Sequence, residues 1–311
     1  MREDLIRCLH SIGEDQPGEE FEIIVIDNAS TDGTVDAVKT DFPRVVTVVN
    51  SENRGFAAAN NQGIQKSEGE YILFLNPDTI VHPNSLDILV RFMDDNEDVG
   101  ACGPKLLNED GTVQASARRF PTFRGALYRH TAFRLLRIFR GQYKKWLMKD
   151  FGYAKQMDVE QLMGSALMVR RAVIDKVGGM DEEFFMYYEE VDLCYRIKDA
   201  GWRVVFVPEA AITHLGGRST GQIPVRKRIM AIASLLEFFR RHRGKFATGL
   251  FSCVFKPAII VRDVIDVATG AVTYIFAVVT LDKKGRGKSA EKLKNSTILL
   301  LKYSWRLLFK M

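Results

Sequence analysis

Acidic side chains follow two apolar, β-branched segments of this 311-residue sequence. Asp27 ends the segment 21–26, and Asn76 and Asp78 follow the segment 71–75. A carboxylate at a strand end can accept hydrogen bonds from a pyrimidine imide or a ribose hydroxyl. It can also hold a divalent cation, which prefers oxygen ligands. The competing interpretation of the second site is a polar turn whose proline fixes φ.

A polar turn, Asn28 to Gly33, follows the first of these acids. Its side chains could contact the same ligand as Asp27. Alternatively, a hydroxyl or carboxylate at Ser30, Thr31 or Asp32 could cap the next helix. Both interpretations stay open at this point.

Three carboxylates lie within four residues, at Glu189, Glu190 and Asp192. Crowding of acidic groups raises the pKa of one of them, and such a carboxylate can serve as a general base toward a hydroxyl. Acidic residues in the first turn of a helix are also favoured by its dipole, which is the structural alternative. The aromatic residues before them could stack on sugar rings or fill the core: Phe184, Phe185, Tyr187 and Tyr188.

A histidine, His214, follows the strand-like segment 203–207 and precedes the glycine-rich Gly216-Gly217. An imidazole there could reach a metal ion and a diphosphate at the strand ends. A single histidine is more often structural, so the residue alone leaves both roles open.

Strand-like and helix-like segments alternate through the first half of the chain. Strands are predicted at 21–26, 45–49 and 71–75, and helices at 56–66, 85–94 and within 181–200. This alternation predicts an α/β fold, a mostly parallel sheet with helices on both faces. In such a sheet the ligand lies beyond the carboxyl ends of the strands, which is where Asp27 and Asp78 stand.

The net charge of +5 hides a strong asymmetry along the chain. The net charge is −14 over 1–117, +10 over 118–149, −4 over 150–221 and +13 over 222–311. The two basic segments indicate surfaces that face an anionic partner. Nucleic acid is not expected, because no recognisable binding motif accompanies the charge.

Composition excludes several classes of protein. With 46% hydrophobic and 27% charged residues the chain is globular rather than disordered. Its four cysteines form neither a metal knuckle nor a CxxC pair, and the polar N-terminus does not resemble a signal peptide. The longest uncharged apolar run, Val267 to Leu281, is shorter than the about 20 residues of a spanning helix. It predicts an interfacial or a buried helix.

Six segments in order carry a family resemblance: IIVIDNASTDGT, NRGFAAANNQG, YILFLNPDT, GSALMVRR, GGMDEEFFMYYEEVDLCYRIKDAGW and AITHLGG. Over about Asp4 to Gly217 the chain resembles the family 2 inverting glycosyltransferases of the GT-A fold, in their rhamnosyltransferase-like branch. The match is specific for fold and reaction class and weakly specific for the sugar.

The resemblance implies a role for each matching residue. Glu190 takes the place of the catalytic base, with Asp192 and Glu189 as alternatives, and Asp78 and His214 would hold Mg²⁺ or Mn²⁺. The implied donor-binding residues are Asp27, Asn28, Ser30, Asn53, Gly55, Phe56, Asn60, Asn76, Gly164 and Ser165.

One element of the family pattern is absent at the N-terminus. The helix Leu5–Ile12 matches, but the family's first strand does not precede it. The expectation is either a misplaced start or a truncated, inactive copy. The predicted organisation is a GT-A catalytic domain at 1–221, with a basic acceptor-facing or membrane-facing insert at 118–149. A basic helical membrane-associating region follows at 222–311.

The implied function is inverting transfer of a sugar, with rhamnose favoured, in cell-surface polysaccharide synthesis. The donor is a dTDP- or UDP-sugar and the acceptor a membrane lipid-linked saccharide. The expected location is cytoplasmic, peripheral on the inner face of the cell membrane, against an anionic surface. The alternatives are a nucleotidyltransferase, and an inactive homologue that binds a membrane surface.

Overall fold

The computed structural model of the chain describes residues 1–15, 18, 20–216, 224–280 and 282–304. The chain forms two compact units. The first unit comprises residues 1–120 and 147–221, and the second comprises 121–146 and 222–311. Most of the basic insert therefore belongs with the C-terminal helices. The predicted boundary after Gly221 lies outside the described residues.

The two units carry opposite charge. The first contains 19 basic and 34 acidic residues, and the second 25 basic and 5 acidic residues. Their formal net charges are thus −15 and +20. The basic segments at 121–146 and 222–311, which are distant in sequence, contribute to one strongly cationic body.

The helices and strands are numbered along the whole chain. The helices are α1 (Arg2–Asp15), α2 (Thr34–Asp41), α3 (Phe56–Lys66), α4 (Ser85–Asp95), α5 (Phe123–His130), α6 (Arg140–Trp146), α7 (Arg171–Val177), α8 (Glu189–Asp199), α9 (Pro224–Arg243), α10 (Lys245–Val279) and α11 (Lys283–Ile298). The strands are β1 (Ile24–Asp27), β2 (Val46–Val49), β3 (Tyr71–Leu75), β4 (Thr79–Val81), β5 (Val99–Leu107), β6 (Val113–Gln114), β7 (Met157–Asp158), β8 (Ala166–Arg170) and β9 (Arg203–His214). A 3₁₀ turn covers Ala132–Arg134, and a π-helical turn covers Leu299–Ser304.

The strands of the first unit form two sheets. Strands β1 and β2 pair in parallel as a two-stranded sheet. The larger sheet has the order β3-β8-β5-β9-β4, with β6 on β5 and β7 on β9. Within the described residues, β1 pairs only with β2 and β3 only with β8, so no strand joins the two sheets.

The pairing is mixed, and the expectation of a mostly parallel sheet is wrong in this respect. In the part of the chain that the structure describes, only β1–β2 and β5–β9 are parallel, whereas β8 runs antiparallel to both of its neighbours and β4 antiparallel to β9. The alternation argument assumes that a crossover helix returns the chain before each strand. Here β4 follows β3 through a short turn, and β8 is reached after an excursion into the second unit.

The helices cover both faces of the larger sheet, as predicted. Alternate residues of a strand point to opposite faces. Accordingly, Val204 and Phe206 of β9 pack in one apolar cluster with residues of α7 and α8. Val205 and Val207 pack in another cluster with Leu89 of α4. The buried sheet therefore holds its strand ends in fixed positions.

The second unit is helical and has an aromatic core. Helix α10 contacts α5, α9, α11 and the 3₁₀ turn. Phe251 of α10 stacks on Phe123 at 4.6 Å and on Phe255 at 4.7 Å between ring centroids, and Phe239 meets both Phe123 and Phe251 edge-on. The predicted C-terminal helical extension is confirmed.

Candidate active site

Strand β9 brings His214 beside the acidic residue that follows β3. In the antiparallel pair β4–β9, Thr79 lies opposite His214. Nε2 of His214 is consequently 3.4 Å from Oδ1 of Asp78 and 3.4 Å from Nδ2 of Asn76. The side chains of Asp78 and His214 are both buried. Residues 76 and 214 are far apart in sequence, yet one strand pairing joins them.

Gln114 determines which nitrogen of His214 carries the proton. Its Nε2 donates to Oδ1 of Asn108 at 2.9 Å and to the His214 carbonyl at 3.2 Å. Its Oε1 therefore faces Nδ1 of His214, at 2.7 Å, and accepts a hydrogen bond from that nitrogen. In the neutral imidazole, the lone pair of Nε2 then points toward Asp78. Nothing in the sequence marked Gln114, which lies in a two-residue strand.

This arrangement fits a divalent cation. A carboxylate oxygen and an imidazole nitrogen that carries no proton are both electron-pair donors, so the two can hold a cation between them. Among the described residues no group of three or more His, Cys, Asp or Glu side chains could hold a metal ion. The pair, with Asn76 beside it, suits an ion that keeps several positions for other oxygen ligands.

Asp27 and Asn28 shape the loop beyond β1. Asp27 is buried, and its Oδ2 accepts the backbone N–H of Ser30 at 3.0 Å. Asn28 accepts a hydrogen bond from Nδ2 of Asn50 and donates one to the carbonyl of Gly55, both at 3.0 Å. The end of β1 is thereby tied to the loop that precedes α3. Asn50 was not identified from the sequence.

A backbone contact joins this loop to the aromatic segment before α8. Gly55 has φ +89°, and a Cβ atom there would stand 2.6 Å from the carbonyl oxygen of Phe185. The N–H of Phe56 donates to that same oxygen at 2.9 Å, and Asn53 accepts the N–H of Gly55. Only glycine allows this close approach.

Asn60 has a local partner instead. Its Nδ2 donates to the carbonyl of Phe56, one turn earlier in α3, at 2.8 Å. That contact is typical of a polar side chain bonding to its own helix. Asn60 therefore lies near the predicted donor-binding residues, but its side-chain N–H donates to a backbone carbonyl of its own helix.

The start of α8 presents Glu189 and Glu190 at the site. Tyr187 and Tyr188, just before the helix, have φ of 71° and 72°. Positive φ is unfavourable for bulky residues, and such strain concentrates at functional sites. A Cβ on Gly164 would lie 3.1 Å from Cβ of Glu190. The glycine therefore lets the carboxylate approach the start of β8.

The pKa values of both glutamates are raised. Burial raises the pKa of Glu189 well above its ordinary value, and the charge of Glu190 adds to the effect. Burial also raises the pKa of Glu190, while the guanidinium of Arg118 opposes the increase. Arg118 belongs to the basic insert in sequence but lies in the first unit.

Three buried oxygens at this place lack a hydrogen-bond partner among the described residues. They are Oε2 of Glu189, Oε2 of Glu190 and Oγ of Ser165. Buried polar atoms are almost always paired, so an orphaned group calls for an explanation. A bound polar ligand that supplies the missing hydrogen bonds is one.

Asp192 has a structural partner. Its buried carboxylate accepts from Nε of Arg196 at 2.7 Å, one turn along α8. Arg196 also donates to the carbonyls of Val177, Gly178 and Gly179, so the ion pair anchors the end of α7. Of the aromatic residues, Phe184 is fully buried in the core, and Phe185 is the exposed one.

One set of contacts connects the predicted residues. Asn76 donates its N–H to the carbonyl of Ser165 at 2.9 Å, which links the Asp78–His214 pair to Gly164. The Cβ position of Gly164 also lies 3.8 Å from Phe56, which leads through Gly55 to Asn28. The site thus lies at the ends of β1, β3 and β9 and the start of β8.

Comparison with known proteins identifies relatives of the sequence. The profile described as Glycosyl transferase family 2 matches residues 2–160, and that of Glycosyl transferase family 21 matches 145–305. The chain is 34% identical over 216 residues to N-acetylglucosaminyl-diphospho-decaprenol L-rhamnosyltransferase of Mycobacterium tuberculosis (strain CDC 1551 / Oshkosh), covering 65% of this chain and 69% of the relative. It is 28% identical over 168 residues to rhamnosyltransferase WbbL of Escherichia coli (strain K12), covering 51% and 60%.

Solved structures share the fold. The mannosyltransferase PcManGT of Pyrobaculum calidifontis, solved with GDP-Man and Mn²⁺, has a TM-score of 0.54 at 17% identity, covering 97% of this chain and 84% of that one. GalNAc-T7, solved with UDP, GalNAc and Mn²⁺, has a TM-score of 0.50 at 19% identity, covering 68% and 41%.

Proposed function

Because the chain belongs to glycosyl transferase family 2 and adopts the GT-A fold, we propose that it transfers a hexose, with rhamnose favoured, from a nucleoside-diphosphate sugar to a lipid-linked saccharide. One observation carries the proposal. The unpaired carboxylate oxygen of Glu190 and the Asp78–His214 pair are joined through Gly164, Ser165 and Asn76. The residue assigned as the base and the pair assigned to the diphosphate would thus belong to one connected site.

The donor would enter along the loop that follows β1. Asp27 accepts hydrogen bonds at a strand end, where ligands of α/β sheets bind. Asn28 and Gly55 hold the facing loop in place. We assign the nucleotide of a dTDP- or UDP-sugar to this side, and the sugar to the side of Gly164, where Phe56 and Phe185 offer aromatic surface.

A divalent cation, Mg²⁺ or Mn²⁺, would be held by Asp78 and by Nε2 of His214, with Asn76 as a neutral neighbour. When bound, such an ion neutralises the charge of the diphosphate that leaves. The solved structures of PcManGT and GalNAc-T7 both contain Mn²⁺, which supports the assignment. Gln114 keeps the His214 imidazole in the tautomer that this role requires.

Glu190 is assigned as the general base. Its raised pKa makes it a stronger base than an ordinary carboxylate, and it removes the proton from the acceptor hydroxyl as that oxygen attacks the anomeric carbon. The bond to the nucleoside diphosphate breaks on the opposite side, so a single displacement inverts the configuration. Asp192 is assigned a supporting role through Arg196.

The acceptor is assigned from the names of the relatives and from the net charge of the second unit. The mycobacterial relative is named for an N-acetylglucosaminyl-diphospho-decaprenol acceptor and for rhamnose. We propose a similar polyprenyl-diphosphate saccharide in cell-surface polysaccharide synthesis. The second unit, with net charge +20, supports peripheral association with the anionic inner face of the cell membrane. No helix among the described residues is both long and apolar enough to cross a bilayer.

The test is transfer of labelled sugar from dTDP-rhamnose and from UDP-sugars to polyprenyl-diphosphate N-acetylglucosamine in the presence of Mn²⁺. Glu190→Gln is expected to lower the rate about 10²- to 10⁴-fold, the usual contribution of a general base. The matched control is Glu209→Gln, an exposed glutamate of β9, which should leave the rate unchanged. Full activity of Glu190→Gln overturns the assignment.

The same assay separates the two alternatives. A nucleotidyltransferase would release pyrophosphate from a nucleoside triphosphate and a sugar phosphate, with no transfer from a finished donor. An inactive homologue would show no turnover with any donor while still binding vesicles. Transfer that depends on Glu190 excludes both.

A further inference from the structure

The longest helix of the second unit has its polar and apolar faces reversed relative to a helix on a water-exposed surface. Exposed, uncharged residues recur every three or four positions along α10 and form what we call the outer arc. They are Phe246, Leu250, Cys253, Pro257, Val261, Val264, Ala268, Val272, Ile275 and Val279. At about 100° per residue these positions fall within one narrow stripe. All are exposed and none is charged; Phe246 is 88% and Val279 74% exposed.

Three charged residues in the middle of α10, Arg262, Asp263 and Asp266, lie on the opposite side of the helix. Asp263 is buried and pairs with Arg228 of α9 at 2.6 Å. Arg262 donates to the Arg129 carbonyl at 3.2 Å and lies 3.4 Å from Asp266. A helix on a water-exposed surface carries its charges outside. This helix therefore presents a continuous apolar face to its surroundings.

A second exposed apolar segment lies next to α10 in the same unit. The 3₁₀ turn contacts the helix, and residues 134–138 continue from it. In that segment Leu135 and Leu136 are exposed, Leu136 by 71%, and they stand between Arg134 and Arg137. Apolar side chains interleaved with cations are typical of surfaces that bind the membrane interface.

We propose that the outer arc of α10, together with residues 134–138, inserts into the interfacial region of an anionic bilayer, with the helix axis parallel to the membrane plane. The 35 residues of α10 extend about 52 Å at 1.5 Å per residue, well beyond the about 30 Å of a hydrocarbon core. The opposite face contacts α5, α9 and α11 and has buried residues from Thr248 to Ala277, so the helix axis lies along the bilayer.

The positive charge of the second unit favours an anionic membrane, rather than a second copy of the chain, as the partner of the outer arc. Apposing two units of net charge +20 would bring like charges together, whereas an anionic leaflet attracts them. Exposed apolar patches of this extent mark binding surfaces. This inference rests on the peripheral membrane association proposed above and deepens it by naming the inserting face, and its test uses neither donor nor acceptor.

The native cysteines provide a probe on the arc itself. Cys253 is exposed, whereas Cys8, Cys102 and Cys194 are buried. Burial raises the pKa of each buried thiol, to about 12 for Cys194, which slows its reaction with thiol reagents. An environment-sensitive dye such as NBD can therefore be attached at Cys253 in the full-length protein.

The labelled protein is mixed with vesicles of equal parts phosphatidylglycerol and phosphatidylcholine, and in parallel with phosphatidylcholine alone. The expected result is a several-fold rise and a blue shift of NBD emission with the anionic vesicles only, quenched by spin-labelled acyl chains. No change with anionic vesicles overturns the proposal. So does the same change without vesicles as protein concentration rises, because it reports pairing of two arcs.

Substitutions locate the inserting face. Val264→Glu with Ile275→Glu is expected to abolish the emission change and co-flotation with the vesicles. The matched control, Val46→Glu, alters a valine of the first unit with 46% exposure, close to the 49% of Val264, and should keep both. Vesicle binding without sugar transfer would overturn the proposed function and leave this inference standing, and the reverse result would overturn this inference alone.

Discussion

The two units of this chain place their polar groups in opposite positions. In the first unit, apolar side chains fill both sides of a sheet, and polar residues such as Asp27, Asp78 and His214 gather at strand ends. In the second unit, Asp263 and Arg262 of α10 make polar contacts inside the unit, while an exposed stripe of the same helix is apolar. The first arrangement suits a polar substrate from water, and the second suits a neighbour of low dielectric constant.

The inward ion pair of the second unit offers the largest expected effect on stability. Arg228→Met would remove the guanidinium that lies 2.6 Å from the buried carboxylate of Asp263. Removing one partner of a buried pair typically costs about 3–5 kcal/mol. We expect a loss of that order in the free energy of unfolding, measured by urea denaturation with tryptophan fluorescence and circular dichroism.

The double variant Arg228→Met with Asp263→Leu is the control for that change. It removes both charges together and should recover most of the loss, because no uncompensated charge remains buried. If Arg228→Met alone leaves the free energy of unfolding unchanged, the buried ion pair does not stabilise the second unit.

In the first unit, the proposed metal site is tested at Gln114, a residue that is not itself assigned as a ligand of the metal. Gln114→Ala removes the hydrogen bond at 2.7 Å that holds the His214 tautomer. Groups that orient a metal-binding histidine typically contribute about 10- to 100-fold in metal affinity. We expect the Mn²⁺ concentration for half-maximal transfer to rise by that factor, while the rate at saturating Mn²⁺ falls much less.

A matched change checks that the effect of Gln114 acts through the imidazole. Gln114→Glu keeps an oxygen acceptor toward Nδ1 of His214 and should retain most of the Mn²⁺ affinity. Unaltered Mn²⁺ dependence in Gln114→Ala would contradict the role of Gln114 in orienting His214 for metal binding.

A further expected effect concerns the pH dependence of stability. Burial and the neighbouring charge of Glu190 raise the pKa of Glu189 in the folded protein above its unfolded value of about 4.3. As pH rises through this window the unfolded chain loses the proton first, so wild-type stability falls. The Glu189→Gln variant does not lose stability in this way. Its free energy of unfolding relative to the wild type should therefore increase from about pH 4 and level off above the raised pKa of Glu189.

That advantage amounts to about 1.4 kcal/mol for each unit of pKa difference. It is measured as the difference in unfolding free energy between the variant and the wild type across the pH series. A difference that stays constant with pH would mean that the folded protein does not disfavour ionisation of Glu189.

Local patterns in the sequence predict much of the first unit. The helix at 56–66 matches α3, and α4 begins at Ser85 as predicted, because apolar periodicity and turn residues act over short distances. The strand-end acids and the pair of glutamates were identified for the same reason. The mixed strand pairing was missed, since strand direction depends on how the chain returns to the sheet.

Residues that act through distant partners escaped prediction. Gln114 meets His214 only because β6 and β9 flank β5, and Arg118 influences Glu190 only in the folded unit. From the sequence, the length of the apolar run Val267–Leu281 shows only that it is too short to span a bilayer. Its place in an outer arc that begins at Phe246 emerges only when the exposed face of α10 is known.

The central claim is that one unit carries the chemistry and the other carries the membrane contact. The most direct test compares transfer to a polyprenyl-diphosphate saccharide in anionic vesicles with transfer to the same saccharide diphosphate on a short, water-soluble chain. Glu190→Gln is predicted to lose both activities, whereas Val264→Glu with Ile275→Glu loses only transfer in vesicles. Equal loss of both activities in the second variant would contradict the division of roles.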